Sequence, residues 1–305
     1  MTVLLAGCGD LGTEAGLRFA AAGHRVVGWR RSPEKLPAEI EGFAADLTRG
    51  DLPPVPADTT AVVVAVAADS PTEEAYRAAY VDGLARVLDA VTASGAPVRR
   101  VLFVSSTAVY GDAEGGWVDE TTTPNPGGFS GRIILEAENL LSGRLRGSGI
   151  SPVVLRLGGI YGPGRTRLID QVRDGKAVLP AGSKFTNRIH RDDAAAAIVL
   201  LCTMDAEPAP LYLGVDDEPA EMADVLTFLA GELGLPAPQP APQPSEADAP
   251  GQAGTPGNPG AGEPSRGGNK RVSNALLRGT GLQLEFPSYR EGYRALLAGV
   301  GHRHP

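Results

Sequence analysis

Short apolar runs alternate with segments of helical spacing along most of this chain. The apolar runs cover residues 2–6, 24–29, 61–66, 98–104 and 152–157. The helical segments cover residues 11–22, 73–93, 130–145 and 192–203. Apolar runs without alternation are typical of strands buried on both faces of a parallel sheet, and helices between such strands form right-handed β-α-β units. The pattern therefore predicts an α/β fold with a doubly wound parallel sheet.

The first apolar run leads into a glycine-rich turn and then into the first helical segment. Gly7 permits a tight bend, Gly9 lets the backbone approach a pyrophosphate, and Gly12 lets the helix lie close to the strand. The helix would present unpaired N–H groups and the positive end of its dipole to the phosphates. We therefore predict a dinucleotide site, although an ordinary glycine-rich turn is the alternative. The predicted contact residues are Gly7, Cys8, Gly9, Asp10, Leu11 and Gly12.

Two arginines at the end of the second predicted strand indicate which cofactor binds. NAD sites commonly place Asp or Glu about 20 residues beyond the glycines, where the carboxylate accepts a hydrogen bond from the ribose 2′-hydroxyl. This chain has Arg30 and Arg31 near that place. Guanidinium groups bind a 2′-phosphate through paired, charge-assisted hydrogen bonds. The sequence therefore predicts NADP, with NAD less favoured; the alternative is a pair of solvated arginines.

Composition narrows the classes of partner. The 305 residues carry a formal net charge of −8, which disfavours binding to nucleic acid or to an anionic membrane surface. No apolar run approaches the ~20 residues that span a bilayer. The two cysteines, Cys8 and Cys202, lie in different predicted elements, so we expect no disulfide framework and a reducing cytoplasm. We expect no metal site, because no His/Cys spacing of a metal motif is present.

Residues 236–268 differ sharply in composition from the rest of the chain. Pro, Gly, Ala, Gln and Ser dominate this stretch. Such a segment buries too little apolar surface to offset the entropy lost on ordering. We predict a disordered insertion here, with order resuming near Asn269 and a final helix around residues 289–298.

Three further blocks, in order along the chain, match one known family. They are Val104-Ser-Ser-Thr-Ala-Val-Tyr-Gly111 followed by Asp119-Glu120, Arg156-Leu-Gly-Gly-Ile-Tyr-Gly-Pro163, and Arg188-Ile-His-Arg-Asp-Asp193. With the glycine turn, these blocks resemble the extended short-chain dehydrogenase/reductases, the NAD-dependent epimerase/dehydratase group. The resemblance runs from Val3 to about Leu235 and resumes near Lys270.

The resemblance implies an architecture and several roles. It implies a Rossmann-type dinucleotide-binding domain over residues 1–164 and a small mixed C-terminal substrate lobe over 165–305, with a strand returning to the sheet near 211–214. It places Asp46 and Leu47 beside the adenine and the Ser106 hydroxyl near the substrate. In the family, the helices matching 73–93 and 130–145 often pack in a dimer bundle, so a homodimer is one expectation.

The chain departs from the family at its catalytic dyad. The family carries Tyr-x-x-x-Lys on the helix that matches 130–145, where the tyrosine is the general acid or base and the lysine lowers its pKa. Alignment places Ser130 and Ile134 at these positions. No tyrosine lies between Tyr110 and Tyr161, and no lysine lies between Lys35 and Lys176. The chain therefore resembles an atypical member of the family.

Two residues are candidates for the missing chemistry. Ser106 could orient a substrate oxygen, and Tyr110 could supply a proton, although packing of the Tyr110 ring in its turn is the alternative. The predicted function is that of an NADP-dependent oxidoreductase or epimerase-like enzyme that acts on a small-molecule carbonyl or imine. The alternative is a non-catalytic NADP-binding sensor or assembly factor. The sequence leaves the substrate open, because fold alone does not set the reaction.

Overall fold

The computed structural model describes residues 1–240 and 268–305. The strands are β1 (Thr2–Ala6), β2 (Arg25–Arg30), β3 (Glu41–Ala44), β4 (Thr59–Val64), β5 (Arg100–Ser106), β6 (Trp117–Val118), β7 (Ser151–Leu157), β8 (Gly159–Tyr161), β9 (Val178–Leu179), β10 (Phe185–Thr186), β11 (Arg188–His190), β12 (Leu211–Gly214), β13 (Ala220–Glu221), β14 (Gln239–Pro240) and β15 (Arg271–Val272). The helices are α1 (Asp10–Ala21), α2 (Glu73–Tyr76), α3 (Gly83–Ser94), α4 (Phe129–Leu145), α5 (Arg167–Arg173), α6 (Arg191–Thr203), α7 (Met222–Glu232), α8 (Ala275–Gly279) and α9 (Tyr289–Leu297).

A seven-stranded sheet forms the centre of the molecule. Its strand order is β3-β2-β1-β4-β5-β7-β12, and every neighbouring pair is parallel. The order reverses between β1 and β4, so a crevice forms beyond the carboxyl ends of these strands. The predicted Rossmann-type, doubly wound α/β fold is confirmed.

Helices cover both faces of this sheet and bury its apolar side chains. On one face α1 packs against α6 over residues such as Val3, Leu5 and Ile198. On the other face α3 and α4 pack over residues such as Val62 and Phe103. Helix α6 and strand β12 complete the sheet and its cover although they follow residue 164. Strand β12 lies where the strand returning to the sheet was predicted.

Two features of the first half differ from the predicted elements. Strand β3 lies at the sheet edge with exposed residues, so it has no apolar run that would predict it. The single helix predicted over 73–93 is divided into α2, a π-helical turn (Arg77–Asp82) and α3. The turn is visible in the bond from the N–H of Gly83 to the carbonyl of Ala78, five residues earlier. Single π turns inside helices are frequent at functional sites.

The C-terminal lobe is built from helices α5, α7 and α9 and from short strand pairs. Its core includes Tyr161, Val225, Leu229, Tyr289 and Tyr293. Part of the insertion predicted over 236–268 is ordered, since β14 pairs with β9. Residues 241–267 of that prediction lie outside the described residues. Within residues 1–240 and 268–305, no helix is long and apolar enough to cross a membrane.

Candidate dinucleotide site

A cleft of about 510 Å³ lies at the point where the strand order reverses. Its walls come from the segments that follow β1, β2, β3 and β4 and from the helix that begins with α2. Among the predicted cofactor residues, those lining the cleft are Gly7, Cys8, Gly9, Arg30, Arg31, Asp46 and Leu47. The topology therefore brings together residues that are separated by up to 40 positions in the sequence.

Each glycine of the turn occupies a different environment. Gly7 has a φ of +88°, and a Cβ there would lie 2.6 Å from the carbonyl oxygen of Ala65. A Cβ on Gly12 would lie 3.1 Å from the carbonyl oxygen of Gly7, because α1 packs closely on the turn. A Cβ on Gly9 would meet no protein atom within 4 Å. Gly9 therefore faces open space in the cleft, whereas the fold requires glycine at position 7 and leaves little room for a side chain at position 12.

The backbone hydrogen bonds of the turn fix which amides face outward. The N–H groups of Gly7 and Cys8 donate to the carbonyl of Trp29 at 3.1 and 2.9 Å, and that of Gly9 donates to Gly7 at 2.8 Å. The first bond of α1 runs from the N–H of Thr13 to the carbonyl of Gly9. The amides of residues 10–12 therefore have no acceptor one turn earlier in the helix. These amides belong to the end of α1 that is favourable to anions.

Three of the predicted contact residues, Asp10, Leu11 and Gly12, do not line the cleft. The Asp10 carboxylate accepts hydrogen bonds from Arg165 Nε at 2.9 Å, Arg191 Nη1 at 3.0 Å and the backbone N–H of His304 at 3.2 Å. Burial alone would raise the pKa of Asp10, but Arg165 and Arg191 outweigh it and lower the pKa. Leu11 is buried in the core under the sheet. The side chains of Asp10 and Leu11 are therefore engaged within the protein.

The Cys8 thiol is a packing group in this turn. It is fully buried and lies 3.8 Å from the hydroxyl of Thr13. Burial raises the pKa of Cys8 to about 11, so the thiol stays protonated at neutral pH.

The arginines after β2 meet the cleft in different ways. Nη1 of Arg30 is buried and has no hydrogen-bond partner within the described residues. Arg31 donates from Nη1 and Nη2 to the carboxylate of Asp69, at 2.7 and 2.9 Å. Lys35 also lines this wall. The wall is therefore rich in positive charge, and one of its arginines is paired across the cleft.

Asp46 and Leu47 form the wall that the resemblance assigns to the adenine. The carboxylate of Asp46 accepts from the hydroxyl of Thr48 at 2.7 Å and from Arg49 Nε at 2.7 Å. The Thr48 hydroxyl bond is the largest influence that lowers the pKa of Asp46. Arg86 on α3 donates to the carbonyl of Leu47 at 2.8 Å, which fixes this loop against the helix.

The two catalytic candidates lie at the two ends of a 3₁₀ turn: Ser106 precedes it as the N-cap, and Tyr110 is its last residue. Ser106 is half-buried at the carboxyl end of β5, and its Oγ accepts from the N–H of Ala108 at 3.2 Å. The Tyr110 side chain is buried, and its hydroxyl donates to the carbonyl of Asp119 at 2.8 Å. Burial raises the pKa of Tyr110 above its ordinary value. This geometry favours the packing role of Tyr110 over proton transfer.

A buried ion pair lies beside Ser105 and the ring of Tyr110. Glu138 on α4 accepts from Arg156 Nε at 2.9 Å and from its Nη2 at 2.6 Å. Glu138 also accepts from the hydroxyl of Ser105, and the Arg156 guanidinium lies 4.8 Å from the centre of the Tyr110 ring. Ile134, at the position of the family's lysine, is buried in an apolar cluster with Tyr110. This part of α4 therefore holds a structural ion pair and an apolar contact.

Sequence reasoning missed the wall between β4 and α2. The residues are Ala65, Val66, Ala67, Ala68 and Asp69 after β4, and Ala75, Ala78 and Ala79 on the following helix. The rule that ligands bind beyond the carboxyl ends at a switch point could have indicated the segment after β4. The alanines on the helix have no polar group that would indicate a binding site, since they contribute only by their small side chains, which leave space in the cleft.

Metal ligands do not gather in the part of the chain that the structure describes. Across residues 1–240 and 268–305, no group of three or more His, Cys, Asp or Glu side chains could hold a metal ion.

Comparisons with known proteins agree with this geometry. Residues 3–213 match the sequence model of the NAD dependent epimerase/dehydratase family. Protein YeeZ of Escherichia coli strain K12 is 32% identical over 210 residues, which cover 65% of this chain and 72% of YeeZ. A solved structure from Methylobacillus flagellatus, named for the NAD-dependent epimerase/dehydratases, is 38% identical with a TM-score of 0.74, over 98% of each chain.

More distant structures share the fold. UDP-glucuronic acid 4-epimerase from Bacillus cereus, solved in complex with NAD, is 18% identical with a TM-score of 0.77, over 97% of each chain. At that identity the similarity extends to the architecture alone.

Proposed function

Since this chain belongs to the NAD-dependent epimerase/dehydratase family, we propose that it binds NADP(H) in the cleft and serves as an oxidoreductase or epimerase-like enzyme. The substrate class that we propose is a small-molecule carbonyl or imine. The observation that carries the proposal is the open face of Gly9 at the start of α1, beside the two arginines after β2.

The residues of the cleft fit such a cofactor. A pyrophosphate above Gly9 would meet backbone at a place where any side chain would intrude. It would also lie near the amides of residues 10–12, which have no acceptor one turn earlier in the helix. The buried Nη1 of Arg30 has no partner in the described chain, and a buried guanidinium nitrogen normally has one. A 2′-phosphate near Arg30 and Arg31 would satisfy it. The alanine wall after β4 leaves room for the adenosine half.

The chemistry proposed for this chain is limited to holding the substrate. When bound, the nicotinamide supplies a hydride donor or acceptor. The Ser106 hydroxyl would hold the reacting substrate oxygen and position a water that exchanges its proton. An activated carbonyl or imine needs less acid catalysis than an ordinary ketone, which suits a chain without the tyrosine–lysine dyad. Tyr110 is the weaker candidate, because its hydroxyl already donates a hydrogen bond to the backbone carbonyl of Asp119.

Calorimetry on the purified full chain tests the cofactor proposal. We expect NADPH to bind more tightly than NADH. Tighter binding of NADH would refute the NADP preference, and no heat with either nucleotide would refute the whole proposal. Turnover is then measured as loss of reduced-nicotinamide absorbance with a panel of carbonyls and imines.

A sensor or assembly factor without turnover is the second candidate. Two observations favour it: the dyad residues are replaced by Ser130 and Ile134, and the nearby Tyr110 hydroxyl is occupied. Tight NADPH binding without turnover on any substrate of the panel would support this candidate over the enzyme.

A further inference from the structure

An ion pair joins the two sides of the proposed cofactor cleft. Arg31 follows β2 and Asp69 follows β4, and both residues line the cleft. The pair is bidentate: Nη1 and Nη2 of Arg31 donate to different carboxylate oxygens of Asp69, at 2.7 and 2.9 Å. The two side chains are 59% and 64% exposed. The pair therefore lies at the solvent side of the cleft, where an entering ligand would meet it.

We propose that Asp69 determines cofactor specificity by competing with the ligand for Arg31. The inference rests on the proposed function, since it concerns how the cleft distinguishes NADPH from NADH. The 2′-phosphate of NADPH carries nearly two negative charges and three strong acceptor oxygens. It can replace the Asp69 carboxylate as the bidentate partner of Arg31. The 2′-hydroxyl of NADH is uncharged and offers no equivalent exchange.

The neighbouring charges leave Asp69 as the competing carboxylate. Asp46 is held by Thr48 and Arg49 on its own loop, so its carboxylate is already bonded. Arg30 and Lys35 on the same wall provide further positive charge for a phosphate. By pairing with the Arg31 guanidinium, Asp69 withholds that group from the phosphate and weakens NADPH binding more than NADH binding.

The variant Asp69→Asn tests whether Asp69 weakens the binding of NADPH more than that of NADH. We expect the NADPH dissociation constant of this variant to fall about fivefold, the upper end for releasing an exposed ion pair, with NADH changed less than about twofold. The matched control is Asp89→Asn, which removes the same charge from an exposed ion pair with Arg144 at 2.8 Å, outside the cleft lining. The control should leave both constants unchanged.

The double variant shows whether the effect passes through Arg31. In an Arg31→Ala background, Asp69→Asn should no longer favour NADPH, because the guanidinium for which Asp69 and the 2′-phosphate compete is absent. If wild-type protein binds nucleotide but Asp69→Asn leaves the NADPH/NADH ratio unchanged, the inference is overturned and the proposed function stands. Equal tightening in the Arg31→Ala background would overturn it too. If wild-type protein binds neither nucleotide, the proposed function itself fails.

Discussion

Replacing Gly9 with alanine should weaken cofactor binding without unfolding the protein. A Cβ at Gly9 meets no protein atom within 4 Å. The backbone there is extended, with φ −85° and ψ −158°, a conformation open to any residue. The added methyl group would instead occupy the space in which we place the pyrophosphate.

The two effects of this change differ in size. Alanine reduces the conformational entropy of the unfolded chain, which stabilises the folded protein by ~0.4–1 kcal/mol. Alanine is also a poorer N-cap residue than glycine, which destabilises the helix by a few tenths to ~1 kcal/mol. The free energy of unfolding should therefore change by less than ~1 kcal/mol. Displacing the pyrophosphate would remove at least one hydrogen bond to a charged group, which contributes ~1.5–3 kcal/mol. The NADPH dissociation constant should rise by about 10-fold to 150-fold.

Gly128 provides the matched control. It is also a helix N-cap, before α4, with an extended backbone of φ −127° and ψ 167°. A Cβ there also meets no protein atom within 4 Å. Thermal unfolding and NADPH calorimetry are measured on wild type, Gly9→Ala and Gly128→Ala. The reasoning is refuted if folded Gly9→Ala binds NADPH within about twofold of wild type.

Further variants test the surroundings of the site. Glu138→Ala should lower the free energy of unfolding by ~3–5 kcal/mol in urea titrations, because it leaves the buried Arg156 guanidinium without its carboxylate. The control Glu136→Ala removes an exposed ion pair on the same helix and should cost less than ~1 kcal/mol. Equal losses in the two variants would contradict the structural role of the buried pair. Ser106→Ala should reduce turnover at least tenfold and leave the affinity for NADPH unchanged. Tyr110→Phe should lower the free energy of unfolding by ~1 kcal/mol and leave turnover unchanged. Loss of turnover in Tyr110→Phe but not in Ser106→Ala would make Tyr110 the catalytic group. Burial raises the pKa of Asp216 from 3.8 to about 8, so between these values the folded protein binds a proton that the unfolded chain has released. The contribution of Asp216 to stability should therefore fall as the pH rises from about 4 to about 8, and Asp216→Asn should flatten that decline in urea titrations.

Sequence reasoning succeeded where the signal is local. The order of strand, glycine turn and helix at residues 2–22 depends on neighbours in the chain, and the structure follows it. Edge strand β3 was missed, because exposed residues such as Glu41 give no apolar run. The π turn after Tyr76 was missed, because a single π turn does not interrupt the helical run of the sequence.

The candidate site shows the same division. Gly9 and the arginines after β2 could be assigned roles, because the chemistry of phosphate recognition constrains both residue type and position. The partner of Arg31 could not be assigned, because Asp69 lies 38 residues away and no rule of spacing links them. The role of Tyr110 was left open by the sequence, since burial and the bond to Asp119 are invisible in it.

The sequence by itself determined the family, the parallel sheet and the place of the glycine turn. Hydrophobic periodicity and the need for glycine in a tight turn depend on residues that are close together in the chain. Only the tertiary structure decided which charges meet. Asp10 is bonded to Arg165 and Arg191, from 155 and 181 residues away, and Glu138 is bonded to Arg156 on another element. Such pairs arise when the sheet brings distant segments together. Their strength depends on burial and distance, which a sequence does not contain.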